Sequence, residues 1–152
     1  MLAVRKLELK DIIDKQESVY KIIKLIMQES FGNIKTLDNI TLEKYNDMIE
    51  FQKNGSAILY GAFYESKLVG LMWAYERTNI DEKALHLTEI GVLEEYRKKG
   101  IGTALIQKLE MVAKKRKIKS IELMATKSNK NVCSFYLNSD FLIERYVMRK
   151  RL

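Results

Sequence analysis

Between residues 85 and 115 the hydrophobic period of the chain changes, and the change happens across two glycines. Leu85 to Leu93 has the alternation and aliphatic content of a strand. From Ile101 onward, Ile101, Ala104, Leu105, Leu109, Val112 and Ala113 recur at three- and four-residue intervals, which is the stripe of an amphipathic helix. The stretch Glu94-Glu95-Tyr96-Arg97-Lys98-Lys99-Gly100-Ile101-Gly102-Thr103 therefore turns a strand into a helix through basic residues. The first amides of a helix lack intrahelical partners and sit at its positive dipole end, and glycine lets a ligand approach the backbone closely. The segment is a candidate anion site. No G-x-x-G continuation follows Gly102 and no G-x-x-x-x-G-K-[ST] spacing occurs, so neither common nucleotide fingerprint is present.

The rest of the chain fits around this unit. Leu2 to Leu9 alternates as a first strand, and Asp11 to Glu29 carries Ile12, Val19, Ile22, Ile23 and Ile26 at helical spacing. Thr41 is a suitable N-cap for a second helix running to Asn54-Gly55. Ala57 to Tyr64, Leu68 to Arg77 and Leu85 to Leu93 form an antiparallel meander. After the helix at Ile101, Ser120 to Ala125 reads as strand, Asn131 to Asn138 as a short helix and Phe141 to Leu152 as a last strand. The predicted order is β-α-α-β-β-β-α-β-α-β, an α/β chain with a mostly antiparallel mixed sheet flanked by helices. With 152 residues, no proline and no linker or repeat, the expectation is one domain over residues 1–152.

Composition narrows the function classes. A single Cys and a single His exclude an internal disulfide and a zinc site of the usual ligand count, and no metal is expected. No apolar run approaches the roughly 18 residues of a membrane span and no signal-peptide pattern opens the chain, so a cytoplasmic protein with no membrane role is expected. The net charge of +7 favours an anionic partner. Nucleic acid is not expected, because the basic stretches lack interleaved exposed aromatics and any DNA-reading motif.

Arg97-x-x-Gly100-x-Gly102, after a strand ending in Val92 and opening a helix, resembles the acyl-CoA loop of the GNAT N-acetyltransferase superfamily. Ile90, Val92, Tyr96 and Ile101 also fit that pattern, and the similarity extends over essentially the whole chain. The resemblance implies a GNAT-like fold, acetyl-CoA as cosubstrate and a pyrophosphate held by the backbone of Arg97, Lys98, Lys99, Gly100, Ile101, Gly102 and Thr103. It further implies that Ile90, Gly91 and Val92 pair with the pantetheine arm, with Gly91 a plausible bulge. Asn131 to Phe141 resembles the family's second signature, an Asn, then Phe-Tyr, then Gly-Phe. On that match Asn131 contacts the pantetheine arm and Tyr136 is the general acid beside the thioester sulfur. Asp140 stands where the family has glycine, a left-handed turn position that Asp adopts less freely. The chain also ends sooner after Phe141 than many relatives, which leaves a sheet edge that a homodimer could cover.

Transfer of an acetyl group to an alkyl amine needs a proton acceptor, since such an amine has a pKa of about 10.4. Glu89 is the candidate base and His86, the only histidine, the alternative. Plain alternation puts Glu89 on the face of Leu85 and Leu87, with His86 on the face of Thr88 and Ile90. Cys133 has no adjacent His and reads as a small buried residue, which favours direct attack on the thioester. The expected acceptor is a primary amine on a small molecule or a protein N-terminus, recognised around Phe31 to Tyr45, Trp73 and Tyr75. A non-catalytic acyl-CoA-binding module is the competing reading.

Overall fold

The computed structural model describes residues 1–152. The elements are β1 (Leu2–Lys6), α1 (Leu9–Asp14), α2 (Gln16–Phe31), α3 (Leu37–Lys53), β2 (Ala57–Tyr64), β3 (Lys67–Asn79), β4 (Glu82–Val92), α4 (Ile101–Lys115), β5 (Ile121–Glu122) and α5 (Lys130–Asn138), with one 3-10 turn at Glu94–Tyr96. The strands form one sheet in sequence order, antiparallel except for the parallel pair β4–β5. No helix is long and apolar enough to cross a membrane.

Alternating side chains of the central strands feed two cores, one on each face of the sheet. Leu59, Phe63, Leu71 and Trp73 pack under α2 and α3, against Ile22, Ile23, Tyr45 and Met48. Ile58, Val69, Met72, Leu85 and Leu87 pack under α4 and α5, against Leu105, Leu109 and Tyr136. At about 25 cal/mol per Å² of apolar surface, each fully buried Leu or Ile stabilises the fold by roughly 1.5–3 kcal/mol.

Four sequence expectations are corrected. The single helix expected over Asp11 to Glu29 is two, α1 and α2, because the backbone leaves the helical conformation at Lys15. The helix expected to start after Thr41 begins at Leu37, and the Thr41 hydroxyl donates to the Leu37 carbonyl at 2.7 Å inside it. Thr36 stands at the N-cap without a side-chain capping bond, and burial of Leu37 and packing of Ile40 supply the extra helical turn. The last strand expected from Phe141 to Leu152 is absent, and Tyr146, Val147 and Met148 are exposed. A strand needs a ladder to join, and β5 is only two residues long. The bulge expected at Gly91 lies instead at Thr88: Trp73 pairs with Glu89 and Ala74 with Leu87, so Thr88 is the extra residue.

That bulge reverses the facing of everything after it. Leu85 and Leu87 point toward α4, whereas Gly91 faces α2, where an added Cβ would lie 2.6 Å from Ile26. Glu89, opposite Trp73, turns with Gly91 to the α2/α3 side, not to the face of Leu85 and Leu87. Ile90 and Val92 pack on the α4 side.

The end of α5 follows the Schellman pattern. Phe141 N–H donates to the Tyr136 carbonyl at 3.1 Å and Asp140 N–H to the Leu137 carbonyl at 3.3 Å, while the Phe141 and Tyr136 rings meet at 5.5 Å. Asp140 takes the left-handed conformation this requires, at φ +65°. Asp140→Gly is expected to raise stability by about 0.5–1 kcal/mol, because glycine adopts that conformation without the Cβ clash. Urea unfolding measures it, and an unchanged midpoint would refute strain at this position.

Candidate active site

Beyond His86, which pairs with Glu122, no residue of β5 pairs with β4. The outer edge of Thr88 to Val92 is therefore bare where the two strands part. At this parting lies a cavity of about 50 Å³ lined by residues that include Thr88, Glu89, Ile90, Asn129 and Tyr136. Helix α5 brings Tyr136 to it from one face of the sheet, and the bulge brings Glu89 to it from the strand.

Glu89 is 6% exposed, and its carboxyl is pushed up to about 7, first by burial, against the opposing pull of Lys44. Lys44 of α3 places its Nζ 3.5 Å from Glu89 Oε1. Tyr136 is 9% exposed, and burial followed by the nearby Glu89 raises its phenol well above the usual range, so at neutral pH it keeps its proton. Thr88 Oγ1 is buried in the cavity wall with no hydrogen-bond partner.

Along the adjoining loop, Lys98 (φ +58°) and Gly100 (φ +74°) are left-handed, which turns the chain sharply into α4. None of the amides from Lys98 to Thr103 finds a partner in the loop or the preceding turn; the first to do so is Ala104, bonded to the Gly100 carbonyl at 3.0 Å. Consecutive free amides at a helix start are the chemistry of a phosphate cradle. A pyrophosphate thus fits the loop, and the unpartnered Thr88 hydroxyl and bare β4 edge fit a polar arm beside it.

The side chains of the loop divide. The guanidinium of Arg97 is held by Glu29 of α2 at 2.7 Å and by the Val92 carbonyl at 2.9 Å, leaving only its backbone to the loop. Lys98 and Lys99 are exposed, the latter with its ammonium 5.4 Å from the Tyr96 ring. Gly102 is spent on packing: an added Cβ would meet the Phe135 ring at 3.0 Å, so this glycine lets α5 close on α4.

Some sequence candidates are not brought together. Asn131 is exposed on α5 and does not line the cavity; Asn129 does, and its side chain also caps α5 by accepting from Val132 N–H at 3.4 Å. His86 lies outside the cavity lining, against Tyr75 and 3.5 Å from Glu122, and burial lowers its pKa. Cys133 Sγ donates to the Thr126 carbonyl at 3.5 Å. Sequence reasoning missed Asn129 and Lys44. The N-cap preference for Asn, two residues before the position chosen, was the available signal for the first; the second has none, since α3 meets β4 only in the folded chain.

The model of the GNAT acetyltransferase family matches residues 19–141. The chain belongs to the GNAT acetyltransferase family. Acetyl-CoA is accordingly its cosubstrate, and acyl-CoA-dependent acetyl transfer its general activity. Among solved structures, the PaiA N-acetyltransferase of Thermoplasma acidophilum in complex with coenzyme A is 24% identical with a TM-score of 0.78, covering 95% of this chain and 91% of that one. An acetyltransferase of Pyrococcus furiosus, described as putative, is 22% identical with a TM-score of 0.77 and complete coverage of both chains. An aminoglycoside acetyltransferase from an uncultured soil metagenomic sample, in complex with sisomicin, is 14% identical with a TM-score of 0.73, covering 99% and 95%. These likenesses establish the GNAT fold. No curated protein sequence matches the chain.

Proposed function

We propose that this GNAT protein is an N-acetyltransferase that moves acetyl from acetyl-CoA to a primary amine by direct attack, with Glu89 as proton acceptor and Tyr136 as general acid. The observation that carries this reading is the pairing, in one cavity, of a carboxyl with pKa about 7 and a phenol that keeps its proton. A carboxylate titrating near the working pH can take a proton from the incoming ammonium, and a protonated phenol can give one to the leaving thiolate.

The amine nitrogen attacks the thioester carbonyl, the C–S bond breaks as the tetrahedral oxyanion collapses, and the thiolate leaves with the Tyr136 proton. The excess proton still on the nitrogen restores the Tyr136 phenol, and the proton taken by Glu89 passes to solvent, so amide and free thiol are the products. The amides from Lys98 to Thr103 would hold the pyrophosphate, the edge of Ile90 to Val92 the pantetheine arm, and Asn129, rather than the exposed Asn131, its polar groups. Amine-binding relatives such as the aminoglycoside enzyme support an amine acceptor.

Two measurements test it. Saturating CoA, at 100 times its dissociation constant, adds about 2.7 kcal/mol, which at this chain length raises the unfolding midpoint by roughly 5–11 °C. Incubation of acetyl-CoA with a panel of small primary amines should then release thiol and yield a product that alkaline hydroxylamine does not cleave, as an amide resists it and an ester does not. A CoA-dependent midpoint rise with no thiol release over the blank for any amine or peptide N-terminus would leave the protein a binding module.

A further inference from the structure

Lys44 is the one residue of α3 that reaches the buried carboxyl of the active site, and nothing in the proposed chemistry has yet used it. It follows the buried Thr41 by three positions and precedes the buried Met48 by four, so its stem runs along the core-facing side of the helix while its side chain stays 35% exposed. Its ammonium ends 3.5 Å from Glu89, whose other surroundings supply no cation. From β4 itself comes His86, which burial keeps neutral; from α5 come the phenol of Tyr136 and the thiol of Cys133; from α2 comes Glu29, already committed to Arg97. Lys44 is thus the only charge of opposite sign that the fold offers to Glu89.

We infer that Lys44 is a positioning residue for acetyl transfer, clamping Glu89 on the α3 side of the β4 bulge and holding it in the carboxylate form that accepts the proton of the acceptor amine. The inference rests on the reading of Glu89 as proton acceptor. A carboxyl as buried as Glu89 with no cation beside it would be protonated at neutral pH, and a protonated carboxyl cannot act as base. Lys44 opposes that burial, and its ion pair ties α3 to β4 next to the bulge. It also contributes to keeping His86 neutral. One ammonium therefore favours the charged form of one neighbour and the uncharged form of another on the same strand.

The titration that tests Lys44 needs no knowledge of the acceptor. The full chain is labelled with carboxyl-13C glutamate, the Glu89 resonance is assigned by its loss in Glu89→Gln, and its pH titration is followed in the wild type, Lys44→Met and Lys44→Arg. The midpoint should rise by about 1–2 pH units in Lys44→Met and return toward the wild-type value in Lys44→Arg. With the amine that the thiol-release panel selects, the acid limb of kcat against pH should move by the same amount. Lys44→Gln replaces Lys44→Met if the latter does not fold. An unmoved Glu89 midpoint in the folded variant overturns the role of Lys44, even where Glu89→Gln has lost turnover. A moved midpoint with undiminished kcat in Glu89→Gln overturns instead the proton-acceptor reading beneath it.

Discussion

Tyr136→Phe is expected to lower kcat about 10²–10³-fold while leaving CoA affinity unchanged, which is the range a positioned general acid contributes. The substitution removes one oxygen from a ring held by stacking. Phe135 lies 5.5 Å from the Tyr136 ring on one side and Phe141 5.5 Å on the other, so a phenylalanine keeps both contacts. The capping bonds at the end of α5 use the Tyr136 carbonyl, which the variant retains. Turnover and thermal stabilisation by CoA are therefore separable at this position. Turnover equal to the wild type, measured by thiol release, would remove Tyr136 from the chemistry.

Glu89→Gln carries the other large effect, and it has two parts with opposite signs. Activity should fall about 10²–10³-fold, because the amide accepts no proton in this pH range. Stability should rise relative to the wild type as pH climbs from about 4.5 through 7. Folding lifts the Glu89 carboxyl from 4.5 to about 7, so its contribution to stability is complete below pH 4.5 and lost as pH rises through 7. Glutamine keeps the shape without the charge. The two proteins should unfold at similar temperatures near pH 4–5, with the variant ahead by roughly 2–3 kcal/mol at pH 8. Thermal scans at the two pH values measure this, and an equal gap at both would show that folding leaves the carboxyl's pKa unshifted.

The parts of the fold written in local signals could be read directly from the chain. The change of period between Leu93 and Ile101 located the α4 start and the loop before it, and the apolar pattern located the three-strand meander and the helical segment of α1 and α2, though not the break at Lys15. What escaped was decided between elements. The first turn of α3 forms because Leu37 and Ile40 meet the core, and Thr41 and Thr36 are equally good N-cap residues by type, so only that packing decides between them. Residues 141–152 have strand-forming side chains, but the ladder they would join is two residues long.

The site was legible to a similar degree. Glu89 and Tyr136, the residues proposed for the chemistry, line one cavity, yet alternation put Glu89 on the wrong face because the bulge falls at Thr88, not Gly91. The loop does turn β4 into α4 as read, but two side-chain contacts in it were not legible: the Arg97 side chain binds Glu29, and Gly102 makes room for Phe135. Asn129 and Asn131 are two positions apart on a short helix, and only the start of α5 decides which one reaches the cavity.

The extra residue in β4 works as a shift of reading frame. Upstream of Thr88 the strand is read in one phase and downstream in the other, so two side chains an odd number of positions apart, His86 and Glu89, share a face. A point substitution anywhere in this stretch alters one side chain and leaves the phase intact. Loss of a single residue between Leu87 and Glu89 would instead invert every position up to Leu93, sending the carboxyl into the α4 core and Ile90 and Val92 against α2. Lineages descended from this chain should therefore vary in the identity of the residue at 88 far more readily than in its presence.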